Sequence, residues 1–235
     1  MKIKRLEYKG ILFDCREGFS DEKTFNEVVI NKTYERPKLG FKIEAGESWI
    51  DLGGNVGAFA VMALNKGIKF LDIYEPDPFN CKMIERNLLI NGFGNFNIHQ
   101  KAVVANNLKK MKMYVGNKNQ TWRNSLYKNW GNQKFNVDCI NYKKVISPNI
   151  CLKMDIEGAE IPILKAILKN ELPKKMVFEW SFDINPIMSD YQKVLDKIKP
   201  EYKTLFNYRN SFYNSADYKM PSYIFPKCDN VFCIK

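Results

Sequence analysis

The stretch Trp49-Ile50-Asp51-Leu52-Gly53-Gly54-Asn55-Val56-Gly57-Ala58-Phe59 joins the end of an apolar strand to an acidic residue and a glycine-rich turn. A helix start made of small residues follows directly. Glycine tolerates positive φ and lets a ligand approach the backbone closely. A strand, a glycine turn and a helix start build the nucleotide site of doubly wound α/β folds. The stretch therefore predicts an α/β fold with a ligand bound at this turn.

The spacing of the turn separates two kinds of nucleotide site. A dinucleotide-binding turn reads G-x-G-x-x-G and has an acidic residue about 20 positions further on. This turn reads Asp51-x-Gly53-x-Asn55-x-Gly57 instead. An acid at the strand end suits a cationic amino group better than a pyrophosphate, which favours S-adenosylmethionine as the ligand. A dinucleotide and a purely structural turn are the alternatives.

A second strand is predicted at about residues 70–75, ending at Glu75. A carboxylate at this position can accept hydrogen bonds from both hydroxyls of a ribose. Asp77 and Pro78 are typical of an N-cap and a first helical residue. Glu75 is therefore a predicted cofactor ligand, and a solvated strand-end acid is the alternative.

A third motif, CLKMDIEGAE over residues 151–160, predicts a strand, a turn at Gly158 and a helix. Ligands of open α/β sheets lie outside the carboxyl ends of the strands. Asp155 is therefore expected near the methyl donor, with Lys153 on the same face of the strand two residues earlier. Glu157 follows at the helix entrance, where an acid also complements the helix dipole. Both interpretations of Glu157 stay open.

The runs DLGGNVGAF, YEPDPFN, LKMDIEGAE and VFEW resemble, in this order and spacing, the FkbM family of class I methyltransferases. The similarity extends from roughly Phe25 to about Trp180. It implies a Rossmann-like α/β fold whose seven-stranded, mostly parallel sheet has an antiparallel last strand and helices on both faces. It also implies S-adenosylmethionine-dependent O-methylation, often of sugar hydroxyls.

Matching motif positions imply the cofactor contacts. They fall on the glycine turn and on the end of the second strand, at Asp51, Gly53, Gly54, Asn55, Gly57, Glu75 and Pro76. The backbone near Lys101 and Ala102, in the third predicted strand, is the expected adenine contact.

The predicted catalytic residues are Asp155, Lys153 and Glu179. Asp155 would orient or deprotonate the acceptor hydroxyl. Lys153 would stabilise the developing alkoxide or keep Asp155 ionised. Glu179 ends the next strand, where a purely structural acid is the alternative. The expected acceptor contacts are Glu157, Trp122 and Trp180, the last by stacking.

A basic segment, residues 101–144, holds ten Lys or Arg residues and a single acid, Asp138. Aromatic residues are interleaved with these cations, at Tyr114, Trp122, Tyr127 and Trp130. Cations beside rings suit a phosphate together with a base or sugar that stacks. The segment predicts an anionic acceptor, such as a nucleotide sugar, a phosphorylated glycan or RNA. A solvated lysine-rich loop is the alternative.

Three functions follow from these features. The first is methyl transfer to a hydroxyl of a sugar or glycan, with Asp155 at the acceptor. The second is 2′-O-methylation of RNA ribose, with the basic segment as the RNA surface. The third is a non-catalytic binding module on a methyltransferase fold. The intact acids at positions 51, 75 and 155 argue against the third.

The whole chain of 235 residues predicts one methyltransferase domain, residues 48–235, preceded by an N-terminal extension over residues 1–47 that packs on the core. The longest apolar run, Ala58–Leu64, is too short to span a bilayer. No apolar stretch follows the basic Met1–Arg5, so a cytoplasmic protein is expected. The sequence does not fix the oligomeric state.

No metal site is predicted, because the six cysteines and one histidine lack zinc or disulfide spacing. Mg²⁺ is compatible with Asp155, Glu157 and Asp138, but their spacing is not diagnostic.

The periodicity gives a coarse map of the elements. Helices are predicted at about 57–66, 77–91, 159–170 and 186–198, with a short one near 21–31. Strands are predicted at about 48–53, 70–75, 96–104, 151–156, 174–180, 203–209 and 229–235, with a polar hairpin at 111–115 and 135–140.

Overall fold

A computed structural model describes residues 2–131, 133–184, 186–207 and 228–235. Its strands are β1 (Ile3–Tyr8), β2 (Ile11–Arg16), β3 (Ser48–Leu52), β4 (Phe70–Tyr74), β5 (Phe96–His99), β6 (Ala102–Val104), β7 (Lys110–Val115), β8 (Gln133–Asn141), β9 (Cys151–Met154), β10 (Lys175–Ser181), β11 (Thr204–Asn207) and β12 (Cys228–Ile234). Its α-helices are α1 (Asp21–Phe25), α2 (Ala58–Asn65), α3 (Pro78–Leu89), α4 (Glu160–Ala166) and α5 (Met188–Ile198). Shorter helical turns lie at Asn26–Ile30, Pro37–Leu39, Lys118–Arg123, Tyr142–Lys144, Lys169–Glu171 and Lys199–Glu201.

The central sheet has seven strands in the order β11-β12-β10-β9-β3-β4-β5. Strands β10, β9, β3, β4 and β5 pair in parallel, and β12 is antiparallel to both β10 and β11. The predicted seven-stranded, mostly parallel sheet with an antiparallel end is therefore confirmed. The predicted strand at 203–209 begins as expected, and its positions 208–209 lie outside the described residues.

Side chains of the parallel strands alternate between two hydrophobic cores, as the two-residue period of a strand requires. Trp49 packs with α2 and α3 on one face, whereas Ile50 packs with α4 and α5 on the other. Helices therefore cover both faces, as predicted. This arrangement leaves the carboxyl ends of the parallel strands as the edge where polar side chains can collect.

The predicted strand at 96–104 is wrong as a single element. It divides into β5, which belongs to the central sheet, and β6, which joins a separate three-stranded sheet in the order β6-β8-β7. The backbone turns between them, where Lys101 N donates to His99 O at 2.7 Å. The predicted hairpin is present as the antiparallel pair β7 and β8.

Residues before β3 pack on the face of the sheet that carries α2 and α3. Phe13 and Phe25 are buried in the core of that face. The side chain of Asn91, two residues after the end of α3, bonds both the N–H and the C=O of Leu12, at 2.9 and 2.7 Å. The division of the chain into 1–47 and 48–235 stays a prediction. None of the described helices is long and apolar enough to cross a bilayer.

Candidate functional site

The carboxyl ends of β4, β3, β9 and β10 open into a cavity of about 480 Å³. This volume falls within the range of small-molecule sites, roughly 300–1,000 Å³. Most of the predicted site residues line this cavity: Gly53, Gly54, Asn55, Glu75, Pro76, Ala102, Trp122, Lys153, Asp155, Glu157 and Glu179. Asp51, Gly57 and Trp180 are not among its lining residues.

The glycine turn brings β3 and the turn after β9 into contact. Gly53 has φ +86°, and a Cβ on it would lie 1.8 Å from the carbonyl oxygen of Asp155. The N–H of Asp155 donates to Leu52 O at 3.0 Å. Only glycine fits here, because a side chain would meet both an unfavourable φ and a backbone atom. The turn thereby fixes the position of Asp155.

Gly57 has a structural role at the end of this turn. It precedes α2 with φ +88°, and a Cβ on it would lie 3.2 Å from Ile84 Cα on α3. Its glycine therefore allows α2 to start close to α3. The predicted contact of Gly57 with a cofactor stays a prediction.

Glu75 is buried at the end of β4 and bridges two backbone segments. Its Oε2 accepts from Asn55 N at 2.8 Å, and its Oε1 accepts from Asp77 N at 2.9 Å. Burial raises the pKa of Glu75 to about 7, although these two backbone hydrogen bonds work against the rise. Oε1 also accepts from Asn80 Nδ2 at 3.4 Å, whereas Oε2 has a second lone pair with capacity for a ligand hydroxyl.

Asn55 contributes an unsatisfied polar atom to the cavity wall. Its backbone has φ +48°, a conformation that asparagine tolerates better than most residues. Its Oδ1 is buried and has no hydrogen-bond partner among the described residues. Buried polar atoms are normally satisfied, so an orphan on a cavity wall marks a place for a ligand donor.

Lys153 and Asp51 face each other on adjacent strands. Their register positions pair directly, and Lys153 Nζ lies 3.0 Å from Asp51 Oδ1. Lys153 Nζ also donates to Gly53 O at 2.6 Å. Burial alone would lower the pKa of Lys153, but the facing carboxylates, Asp51 first, outweigh it and raise that pKa. Lys153 therefore stays protonated, and it lines the cavity whereas Asp51 does not.

Three carboxylates meet on the floor of the cavity. One oxygen from each of Asp155, Glu157 and Glu179 lies within 4.8 Å of the other two. Burial and the neighbouring carboxylates Asp155 and Glu179 raise the pKa of Glu157 well above its usual value. Glu157 therefore holds a proton more readily than a solvated glutamate does.

Of the three acids that are compatible with Mg²⁺, only Asp155 and Glu157 lie close together at the cavity. Asp138 lies on β8, where its side chain is 61% exposed and 3.7 Å from Lys110 Nζ, and it does not line the cavity. The expectation that no metal is needed stays a prediction.

Trp180 is the one acceptor contact that the structure corrects. Its side chain is 0% exposed and packs against Tyr191 of α5, with ring centroids 5.0 Å apart. Strand alternation turns Glu179 toward the cavity and Trp180 toward the opposite core. The predicted stacking of Trp180 on an acceptor is therefore wrong.

The basic segment forms one rim of the cavity and is tied to two of its turns. Asn124 Nδ2 donates to Asp77 Oδ2 at 3.0 Å, and Ser125 Oγ donates to Glu157 O at 2.5 Å. Consecutive residues thus connect the turn after β4 to the turn after β9. Beside them, Lys23 Nζ lies 4.1 Å from the centroid of the Trp122 ring.

Sequence reasoning missed the contribution of the N-terminal residues to this cavity. Tyr34 donates a hydrogen bond to Asp155 Oδ2 at 2.5 Å. Its neighbours on the same wall are Lys23, Thr24, Glu27, Val28 and Thr33. No motif or periodicity marks these residues, because their placement depends on how the segment packs across the ends of the strands.

Comparison with known proteins supports the geometry. The sequence profile of the Methyltransferase FkbM domain matches residues 51–213, more than half of the chain. No curated protein matches the chain. Methyltransferase FkbM from Methylobacillus flagellatus KT is 15% identical with a TM-score of 0.50, over 88% of this chain and 50% of that one. The present chain thus spans half the length of the Methylobacillus protein.

Two further solved structures are similar to this chain with lower TM-scores. The tRNA (uracil-54, C5)-methyltransferase of Pyrococcus abyssi, in complex with S-adenosyl-L-homocysteine, is 13% identical with a TM-score of 0.48, over 99% of this chain and 44% of that one. TYW2 of M. jannaschii, in complex with AdoMet, is 12% identical with a TM-score of 0.45, over 99% and 87% of the two chains. The profile match covers most of the chain, including the segments with the glycine turn, Glu75 and Asp155, and the chain therefore belongs to the FkbM methyltransferase family.

Proposed function

We propose that this protein is an S-adenosylmethionine-dependent O-methyltransferase that acts on a hydroxyl of a sugar or glycan. The observation that carries the proposal is the meeting of the glycine turn, Glu75 and Asp155 in one cavity. They come from the ends of three neighbouring strands, β3, β4 and β9. A cofactor along the first two would therefore lie beside an acid on the third.

The residues present fit this cofactor. Glu75 offers a buried carboxylate to ribose hydroxyls, and Asn55 Oδ1 lacks a donor among the described residues. When bound, S-adenosylmethionine supplies an electrophilic methyl group on a sulfonium.

Asp155 is the proposed acid–base residue for the acceptor. A hydroxyl that receives a methyl group must lose its proton, and a positioned carboxylate can take it. Lys153, which lies beside the cavity and stays protonated, would favour the developing negative charge on the acceptor oxygen. Glu179 and Glu157 complete the floor and would orient other hydroxyls of a sugar.

The proposed acceptor carries negative charge. Lys23, Lys101 and Arg123 line the cavity together with Trp122. A ring beside cations suits a sugar or base that bears a phosphate or carboxylate. A nucleotide sugar or an acidic glycan meets both requirements.

Calorimetry with S-adenosylmethionine, followed by transfer assays on neutral sugars, acidic glycans, nucleotide sugars and RNA, tests the proposal. We expect cofactor binding and methyl transfer to an acidic sugar or glycan. Binding without transfer to any of these hydroxyl acceptors would count against the O-methyltransferase assignment. Absence of cofactor binding would point to a non-catalytic binding module.

RNA ribose is the second candidate acceptor. The observation that favours it is the pairing of cations with rings in the basic segment, where Arg123 and Lys128 lie 4.3 and 4.1 Å from the Trp130 centroid. Phosphate contacts make binding steeply dependent on salt. RNA affinity that falls by less than about tenfold between 50 and 200 mM salt would exclude this surface as a phosphate-binding face.

A further inference from the structure

Tyr34 is joined to the proposed catalytic acid although 121 positions separate them in the chain. Its hydroxyl donates to Asp155 Oδ2 at 2.5 Å. Tyr34 also precedes residue 51, where the match to the FkbM profile begins. A residue outside the matched region therefore contacts the acid at the centre of the site.

The surroundings of Tyr34 hold its ring and keep its hydroxyl protonated. The ring packs edge-on against Phe59, with centroids 5.8 Å apart and an interplanar angle of 84°. Lys153 Nζ lies 5.3 Å from the centroid of the Tyr34 ring. Burial and the nearby carboxylates, Asp155 first among them, raise the pKa of Tyr34 well above its usual value. Tyr34 therefore remains a hydrogen-bond donor throughout the working pH range.

The hydrogen bond from Tyr34 engages only one of the two carboxylate oxygens of Asp155. Oδ2 accepts from Tyr34, whereas no donor among the described residues bonds Oδ1. The Asp155 side chain lines the cavity. An unengaged carboxylate oxygen at this wall can accept the proton of an incoming hydroxyl, provided that the other oxygen keeps the group from rotating.

We infer that Tyr34 is a positioning residue, which fixes Asp155 Oδ2 so that Oδ1 is presented to the acceptor hydroxyl. This inference rests on the proposed role of Asp155 in methyl transfer. It assigns part of the acceptor side of the site to the N-terminal wall, residues 23–34. That wall also supplies Lys23, Thr24 and Glu27 to the cavity.

Tyr34→Phe is the test variant, because it removes the hydroxyl and keeps the ring against Phe59. Tyr202→Phe is the matched control. Both tyrosines are 7% exposed, and Tyr202 donates to a backbone carbonyl, Pro173 O, at 2.9 Å. Tyr202 does not line the cavity. Thermal unfolding of both variants then separates loss of a buried hydroxyl from loss of positioning.

The first measurement needs no acceptor. In protein labelled with ¹³C at the aspartate side-chain carboxyl, the Asp155 resonance is assigned by its loss in Asp155→Asn. We expect this resonance to shift in Tyr34→Phe and to stay in place in Tyr202→Phe. An unchanged resonance in Tyr34→Phe would overturn the inference, even if the proposed function failed for lack of any methylated hydroxyl.

The second measurement uses the sugar or glycan methylated by the wild-type protein. Tyr34→Phe is expected to lower kcat about tenfold, since a hydrogen bond to a charged group is lost. The acceptor KM and the S-adenosylmethionine Kd should stay within about twofold, because only the orientation of the acid changes. Unchanged kcat, or a loss confined to KM, would show that Tyr34 is not a positioning residue.

Discussion

Lys153 Nζ lies 3.0 Å from Asp51 Oδ1, and the two side chains are only 4% and 0% exposed. The Asp51 oxygens have no hydrogen-bond donor among the described residues. The ion pair with Lys153 therefore offsets the cost of burying the Asp51 charge. Asp51, predicted as a cofactor contact, is thus the partner of a lysine on the cavity wall. Its effect on a ligand would pass through Lys153.

Lys153→Met should destabilise the protein by about 3–5 kcal/mol, because it leaves the Asp51 carboxylate buried and unpaired. The double variant Lys153→Met with Asp51→Asn should recover part of that loss. Urea unfolding measures both. Lys175→Met, which breaks the buried pair with Glu47 away from the cavity, is the control. It should lose stability but keep S-adenosylmethionine affinity, whereas Lys153→Met should lose both.

Asp155→Asn should abolish methyl transfer and change the S-adenosylmethionine Kd by less than about twofold. The amide keeps the shape of the side chain and can still accept from Tyr34, but it cannot take a proton. Calorimetry and a transfer assay measure the two quantities. Asp138→Asn, at an exposed carboxylate outside the cavity, should behave as wild type. Normal turnover in Asp155→Asn would remove this residue from the mechanism.

Titration of Glu75 should make protein stability and cofactor affinity change in opposite directions with pH. Its pKa is raised from 4.5 to about 7 in the folded protein. Its contribution to stability is therefore fully present below about pH 4.5 and is lost, by about 3 kcal/mol, as pH rises through 7. Cofactor affinity should rise over the same range, because an ionised carboxylate accepts hydroxyl hydrogen bonds better.

Glu75→Gln isolates this effect from that of Glu160, whose buried carboxyl also has a raised pKa, of about 8. Unfolding and calorimetry at about pH 6 and about pH 8 should show weaker pH dependences in the variant than in the wild type. If the free energy of unfolding and the cofactor affinity changed equally with pH in the two proteins, Glu75 would not titrate in this range.

Gly53→Ala should cost far more stability than Gly10→Ala. Both glycines have similar positive φ, +86° and +81°, so both variants carry about 1–2 kcal/mol of backbone strain. Around Gly10 nothing lies within 4 Å of a new Cβ, whereas at Gly53 the Cβ would lie 1.8 Å from Asp155 O. We expect Gly53→Ala also to lose cofactor binding and methyl transfer. Equal unfolding midpoints would contradict this account of the turn.

Substitutions at Trp122 and Trp180 should have separate effects, the first on acceptor binding and the second on core packing. Trp122→Leu should raise the acceptor KM about tenfold, since a ring available for stacking is lost, and should leave the unfolding midpoint nearly unchanged. Trp180→Ala should destabilise the protein by about 3–5 kcal/mol through the cavity it leaves in the core. Kinetics and urea unfolding on both variants measure the contrast. A raised acceptor KM in a folded Trp180 variant would restore its predicted contact.

Local patterns were enough to predict the central sheet and the strand ends that meet at the cavity. The glycine turn at 53–57, the acid after β4 and the motif around Asp155 each join a strand end to a helix start. Parallel strands bring their carboxyl ends to the same edge, so such signals converge without knowledge of other contacts. The break between β5 and β6 escaped prediction, because only two residues separate the two strands and the break shows mainly in their different sheet partners.

The sequence by itself determined the family, the α/β architecture and a set of site residues most of which line the cavity, because these depend on short-range spacing and strand periodicity. Only the tertiary structure decided that Trp180 faces the core, that Asp51 pairs with Lys153 and that Tyr34 bonds Asp155. The last two relationships join segments that are distant in the chain. Strand register and the packing of the N-terminal residues fix them, and neither leaves a signal in the local order of residues.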